Sequence, residues 1–252
     1  PQPFWSKIYE PLIRRAAGLG AFSGQPNGDL YEKAFAFCDV LIIGAGPTGL
    51  MAALTAGRAG ADVILADEDS IMGGRLNGET LMIADQAGAD WASECVAELA
   101  TLPNVRLMSR TTVTGAYDQG TYGALERLPQ GAYDTHEGLP IECFWRIVAK
   151  QTILAAGALE RSIAFADNDR PGIMTAGAVR TYVNRWGVAP GQKIVVFGNN
   201  DDAHRTAQDL VAAGIEVAAL VDSRPEADAN GDFPIYAGSM ICGSRGRHGL
   251  KS

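Results

Sequence analysis

Apolar and polar positions change period several times along the chain, and each change marks an element. Trp5, Ile8, Leu12 and Ala16 recur near helical spacing, which predicts a helix over residues 1–20 stopped by Gly18 and Gly20. Residues 21–36 lose that period and read as a loop or arm. Cys38–Ile43 is an unbroken apolar run, the pattern of a parallel strand buried on both faces. A glycine turn, a helix over Thr48–Ala59 closed by Gly60, and a strand over Asp62–Ala66 complete the start of a βαβ unit.

Trp91, Cys95, Val96 and Leu99 share one face of a helix expected over Gly88–Leu102, and Val105–Ser109 reads as a strand. Thr111–Tyr117 and Thr121–Arg127, separated by Asp118-Gln119-Gly120, predict a hairpin. Residues 129–141 are polar and turn-rich. Phe144–Leu154 reads as a strand ended by Ala155-Ala156-Gly157, and Ala176–Trp186 as a helix. The opening theme then returns: strand Lys193–Phe197, turn at Gly198, helix Ala203–Ala213 stopped by Gly214, strand Glu216–Asp222. Residues 224–252, rich in Pro and Gly, predict neither a helix nor a long strand.

Charge narrows the function classes. Lys plus Arg number 21 against 29 for Asp plus Glu, a net charge of −8. Without a basic tract, nucleic acid is not an expected partner. No apolar run approaches the roughly 18–20 residues of a membrane span, so no membrane is expected. Pro1-Gln2-Pro3-Phe4-Trp5 lacks the basic and apolar regions of a signal peptide. Cys38, Cys95, Cys143 and Cys242 are scattered without a CxxC, so neither a zinc site nor a redox dithiol is expected. Free thiols point to a reducing compartment, with the cytoplasm as default. His136, His204 and His248 form no constellation and read as surface residues; Trp5, Trp91, Trp145 and Trp186 read as core or interface anchors. No catalytic residue and no metal ligand is expected.

Glycine is the informative excess, 30 of 252 residues. Gly44-Ala45-Gly46-Pro47-Thr48-Gly49 follows an apolar strand and opens a helix, the context that gives a GxGxxG pattern meaning. Gly44 permits the tight turn, Gly46 lets backbone approach a pyrophosphate, and Gly49 with Ala53 lets the helix pack closely on the sheet. The helix start offers free N–H groups and a positive dipole end. Asp67, at the second strand's end, is placed to accept from an adenosine ribose and would repel a 2′-phosphate, which makes NADP the least suitable dinucleotide. Gly73-Gly74-Arg75 and Thr152-Ile153-Leu154-Ala155-Ala156-Gly157 extend the pattern. For Arg75, structural pairing and phosphate binding stay equally open.

The second turn, Gly198-Asn199-Asn200-Asp201-Asp202-Ala203, departs from this. Asn200 stands where bare backbone is needed, and Asp201 and Asp202 put like charge beside any phosphate. The reading is an empty site, with both carboxylates satisfying the N–H groups of their own helix.

These segments together resemble the alpha subunit of heterotetrameric sarcosine oxidase. The resemblance covers nearly the whole chain, from Tyr9-Glu10-Pro11-Leu12-Ile13-Arg14-Arg15 through Asp39–Pro47, Gly73–Leu76, Leu154–Arg161 and Asn168–Met174 to the degenerate turn at 198–203. It implies an α/β, Rossmann-like fold of the two-dinucleotide-binding-domain flavoprotein type, glutathione or thioredoxin reductase-like and truncated at the C-terminus. Three parts are expected: an N-terminal helix and arm (1–37), a first dinucleotide-binding domain with an inserted hairpin region (38–190), and a partial second βαβ domain (191–252). Residues expected at the cofactor are Gly44, Gly46, Pro47, Thr48, Gly49, Asp67, Glu68, Gly74, Arg75, Leu76, Val113, Ala156 and Gly157.

The resemblance further implies non-covalent NAD at the first turn, with FAD as the alternative. FAD and FMN are expected in a full complex, on or with a beta subunit, and smaller subunits accompany them. The implied reaction is oxidative demethylation of sarcosine to glycine, giving H2O2 and a one-carbon unit, with the amine chemistry carried by the partner. A folate-binding region of such proteins lies beyond this sequence, so a fragment of a longer polypeptide is expected. Two readings stay open beside it: a component of a related amine, opine or amino-acid dehydrogenase, and a non-catalytic scaffold stabilised by nucleotide. Asn200 and the missing CxxC argue against a self-sufficient NADH-driven flavin reductase.

Overall fold

The computed structural model describes residues 2–20, 24, 26, 28–127, 140–227 and 230–251. His136 and residues 129–139 of the expected turn-rich stretch lie outside the described residues. Helix α1 (Gln2–Phe4) passes through a π-helical turn at Trp5–Tyr9 into α2 (Glu10–Ala16), with helical backbone at both junctions. The run stops before Gly18, at φ 67°, as its sequence implies. Its apolar stripe stays bare among the described residues: Trp5, Ile8 and Leu12 are all exposed.

Strand β1 (Tyr31–Ile43) is more than twice the length expected and absorbs the last six residues of the supposed arm, running across the boundary drawn at 37. The reason lies in its partner. β1 runs parallel to β8 (Glu142–Leu154) from Tyr31↔Glu142 to Ile43↔Leu154, which pairs one edge of the strand along its length. Over 34–38 the small residues Ala36 and Cys38 point inward while Phe35 and Phe37 are exposed, an inverted pattern that hides the strand.

From β1 the chain makes α3 (Pro47–Arg58), β2 (Val63–Ala66), a small antiparallel pair of β3 (Met82–Ile83) and β4 (Gln86–Ala87), then α4 (Gly88–Thr101) and β5 (Val105–Met108). The expected hairpin forms as β6 (Thr111–Tyr117) and β7 (Thr121–Arg127). The large sheet runs β5-β2-β1-β8-β7-β6, parallel among the first four and antiparallel at the hairpin. Ile42 and Leu65 face α3 and α4, whereas Leu41, Ile64 and Met108 face a second core with Ala124 and Ile147. Burial on both faces explains the unbroken apolar runs.

Helix α5 (Ala176–Arg180) continues as a π-helical turn, Thr181–Arg185, before β9 (Lys193–Gly198), α6 (Asp201–Ala212) and β10 (Glu216–Asp222). A short β11 (Ile235–Ala237), not foreseen in the Pro/Gly-rich tail, completes a parallel sheet β11-β10-β9. Val179 and Val183 pack into its core with Val196, Leu210 and Leu220. The boundary drawn at 190 therefore falls after a helix whose apolar residues belong with the second unit. Trp186, read as an anchor, is exposed.

Candidate functional site

The first turn shows why each of its glycines is there. Gly44 takes φ 98° and donates its N–H to Ala66 O at 2.8 Å. A Cβ on Gly44 would lie 2.5 Å from Ala155 O and 2.9 Å from Ala156 Cα, so the turn and the end of β8 touch through backbone. A Cβ on Gly49 would lie 1.8 Å from Gly44 O. Gly46 is different: it caps α3 in extended backbone, and apart from its chain neighbours no described atom lies within 4 Å of where its Cβ would stand. Pro47 occupies the first helical position, where a missing N–H costs nothing. Pro47 and Thr48 are exposed beside this gap. The arrangement is a bare backbone cradle at a helix N-terminus, suited to phosphate.

Gly73 donates to Ala45 O at 2.9 Å, and a Cβ on Gly74 would meet Gly46 Cα at 2.9 Å, so the glycine doublet packs on the turn. Thus Gly44, Gly46, Gly49, Gly74 and Ala156 converge in one place. Gly157, at φ 68°, follows on the exposed side.

Asp67 is built into the turn. Its Oδ2 accepts from Ala45 N–H at 2.6 Å and its Oδ1 from Asp69 N–H at 2.8 Å. Glu68 is exposed and, among the described residues, has no hydrogen-bond partner. Arg75 takes the structural alternative, paired with Glu79 and Asp202. Leu76 is buried in the core between α3 and α4, and Val113 is half-buried against the other core.

The second turn requires a correction. Asn200 does stand at the helix start, but it makes no side-chain cap bond, and among the described residues neither Asp201 nor Asp202 bonds an N–H group of its own helix. Asp201 pairs with Arg224 at 2.9 Å, and Asp202 pairs with Arg75, Arg180 and Arg205. Guanidiniums delivered by tertiary contact outcompete the backbone N–H groups as partners. His204, read as a surface residue, is buried, with Nε2 at 2.7 Å from Asp222 Oδ2. Asp222 also accepts from Arg224 N–H at 2.8 Å, the same i to i+2 bond that Asp67 makes with Asp69. Comparing the two repeats position by position would have exposed Asp222; nothing local marks the Arg75 cluster.

Hydrogen bonds from Arg224, opposed by burial and helped by Arg224 N–H and His204, bring the Asp222 carboxyl down to about 2. Arg185, bonded to Asp69 through both Nη atoms, holds that carboxyl at about 2 as well. An unfolded Asp titrates near ~3.9, so stability from these groups is complete above that pH and is lost as pH falls through about 2. Asp222, whose side chain is fully buried, accounts for roughly 2 kcal/mol of it. Urea unfolding at pH 5, 3.5 and 2.5 should show the decline, and Asp222→Asn should flatten it; an unchanged profile in the variant would contradict this assignment.

Cys38, Cys95 and Cys143 are buried and Cys242 exposed, all unpaired, and burial pushes the Cys38 thiol up to about 11. No group of His, Cys, Asp or Glu suited to a metal occurs among the described residues. Among them, too, no helix is long and apolar enough to cross a membrane.

Comparison with known proteins agrees with this geometry. Residues 39–140 match the FAD dependent oxidoreductase family. The sarcosine oxidase alpha subunit of Rhizobium meliloti is 51% identical over 98% of this chain, and that of Corynebacterium sp. strain P-1 is 42% identical over 95%. A subunit of the opine oxidase of Agrobacterium tumefaciens is 31% identical over 74% of the chain and is itself 37% covered. The chain spans about a quarter of the length of the two sarcosine oxidase proteins, 25% and 24%. In fold it resembles L-proline dehydrogenase from P. horikoshii, at TM-score 0.63 and 24% identity over 82% of this chain and 40% of that one. Thioredoxin reductase from T. acidophilum gives TM-score 0.60 at 15% identity over 85% and 68%. The chain is thus similar along nearly its whole length to about a quarter of the sarcosine oxidase alpha subunits, and within it residues 39–140 match the FAD dependent oxidoreductase family.

Proposed function

We propose that the first glycine turn binds a dinucleotide without covalent attachment, NAD in the first instance and FAD as the alternative. The observation that carries this is the open space over Gly46 at the start of α3, walled by Gly44, Gly74 and Ala156. Backbone N–H groups at Gly46, Thr48 and Gly49, with Pro47 fixing the helix start, hold the pyrophosphate. Asp67 keeps the turn shut and Glu68, the free carboxylate beside it, takes the ribose hydroxyls. Leu76 and Val113 shape the site from within the cores, and Ala156 and Gly157 lie along the ligand. When bound, the nucleotide supplies the redox-active or purely structural group that the chain's own side chains lack.

To test this, the purified chain is heat-denatured and the released small molecules are separated chromatographically. Stoichiometric NAD or FAD is the expected result; absence of any dinucleotide, also after incubation with both, overturns it.

The wider reading is that the chain belongs to a multi-subunit, flavin-dependent oxidase that converts sarcosine to glycine, with FAD and FMN on or with a beta subunit, and with smaller subunits bound to both. The 31% identity to an opine oxidase component keeps opine or amino-acid dehydrogenation as the alternative. Since the site contains no acid, base or nucleophile placed for amine chemistry, the isolated chain should release no hydrogen peroxide from sarcosine. Peroxide above a heat-killed control would sink that assignment of labour.

A further inference from the structure

The ion cluster linking the two units carries one positive charge too many. Arg75 Nη2 lies 2.7 Å from both Glu79 Oε1 and Asp202 Oδ2. Arg180 Nη2 lies 3.3 Å from Asp202 and 3.6 Å from Glu79, and Arg205 pairs with the other Asp202 oxygen. Three guanidiniums therefore share two carboxylates. The cluster is short of acceptors as well as of negative charge, because the buried Nε of Arg180 has no partner.

Two members of the cluster are exposed enough to leave, Arg75 at 54% and Arg205 at 48%, whereas Arg180 is 3% exposed and Glu79 8%; of the two, Arg75 is the one beside the glycine turn. With Arg75 gone, Arg180 and Arg205 face Glu79 and Asp202, and the remaining cluster is neutral. Its destination is adjacent: Gly73 is hydrogen-bonded to Ala45 and Gly74 packs on Gly46, so Arg75 is tethered beside the open phosphate cradle.

We infer that Arg75 is an exchangeable counter-ion, which leaves Asp202 for the pyrophosphate of a dinucleotide seated on Gly44–Gly49. Asp202, on the second unit, then sets the nucleotide affinity of the first. This rests on the dinucleotide reading above and deepens it. The degenerate second turn becomes a competitor for Arg75, because its carboxylate is the alternative ligand. A charge-assisted guanidinium–phosphate pair is stronger than a neutral one, and a bidentate fit adds geometric selection.

Titration calorimetry of the 252-residue chain with NAD and with FAD, for Asp202→Asn, Arg75→Gln and the double variant, tests it. Arg75→Gln should weaken binding about tenfold, and Asp202→Asn should tighten it about three- to tenfold in the parent but less than about twofold on the Arg75→Gln background. Thermal melts establish that each variant is folded; should Asp202→Asn not fold, Glu79→Gln removes the other carboxylate from Arg75 and carries the same expectation. The inference is overturned if Arg75→Gln binds like the parent, or if removing the carboxylate tightens both backgrounds equally, as a general field effect would. Binding of neither nucleotide to the parent chain instead removes the dinucleotide reading, and this inference with it.

Discussion

A chain carrying Gly46→Val should fold and yet hold no dinucleotide. The two halves of that result have separate physical causes. Gly46 has φ −70° and ψ −177°, ordinary extended backbone, and apart from its chain neighbours no described atom lies within 4 Å of a Cβ built there. Valine therefore meets no steric obstacle within the protein; as a poor N-cap it should cost at most about 1 kcal/mol. Its two methyl groups would instead fill the space through which phosphate oxygens reach the N–H groups of α3. Loss of that approach removes several charge-assisted hydrogen bonds together, so affinity should fall at least about a hundredfold, or ~2.7 kcal/mol. Calorimetry for binding and urea unfolding for stability give the two readings. Parent-like affinity in a folded variant would show that the nucleotide does not use this turn.

Three residues on, the balance reverses. Gly49→Ala should destabilise the whole first unit, because its new methyl would stand 1.8 Å from Gly44 O and 3.0 Å from Gly44 C. The neighbour is backbone, itself hydrogen-bonded to Ala66 and pressed on Ala155, so it has nowhere to move. Alanine is the better helix former by about 1 kcal/mol, but overpacking against a fixed turn outweighs this, with an expected net loss of about 3 kcal/mol. The second unit carries Ala203 at the matching place, where the distance from a Cβ on Gly198 to the Ala203 methyl is 2.3 Å. That turn already accommodates a methyl, so the constraint at Gly49 is local to the first. A midpoint for Gly49→Ala within error of the parent would contradict it.

Much of this is legible in the sequence because it is local. The glycines at 44, 46 and 49 and the apolar runs at 38–43 and 62–66 each depend on neighbours close in sequence or on periodicity. The full length of β1 is not legible, because Phe35 and Phe37 face outward and Ala36 inward, against the usual sense of the pattern, and residues 31–38 find their strand partner only in β8, over 100 residues on. The roles of Asp201 and Asp202 escape the sequence for a related reason. Helix-capping rules see only the helix, while Arg75, Arg180 and Arg224 arrive from elsewhere in the fold. His204 gives no local sign of burial, since its partner Asp222 lies on the following strand.

The two helix starts also confer different sensitivities to ionic strength. α3 begins at Gly46-Pro47 with no acidic residue in its first turn, whereas α6 begins on two aspartates held by arginines. Raising salt from 0.1 M to 1 M shortens the screening length from about 10 Å to about 3 Å, which weakens exposed pairs such as Arg224–Asp201, whose Asp side chain is 80% exposed. Added sodium chloride should therefore accelerate amide exchange in the first turn of α6 while leaving that of α3 unchanged, and an equal response in both helices would mean that these charges contribute nothing to local order. Two βαβ units of similar design therefore present one helix start indifferent to salt and one tuned by it.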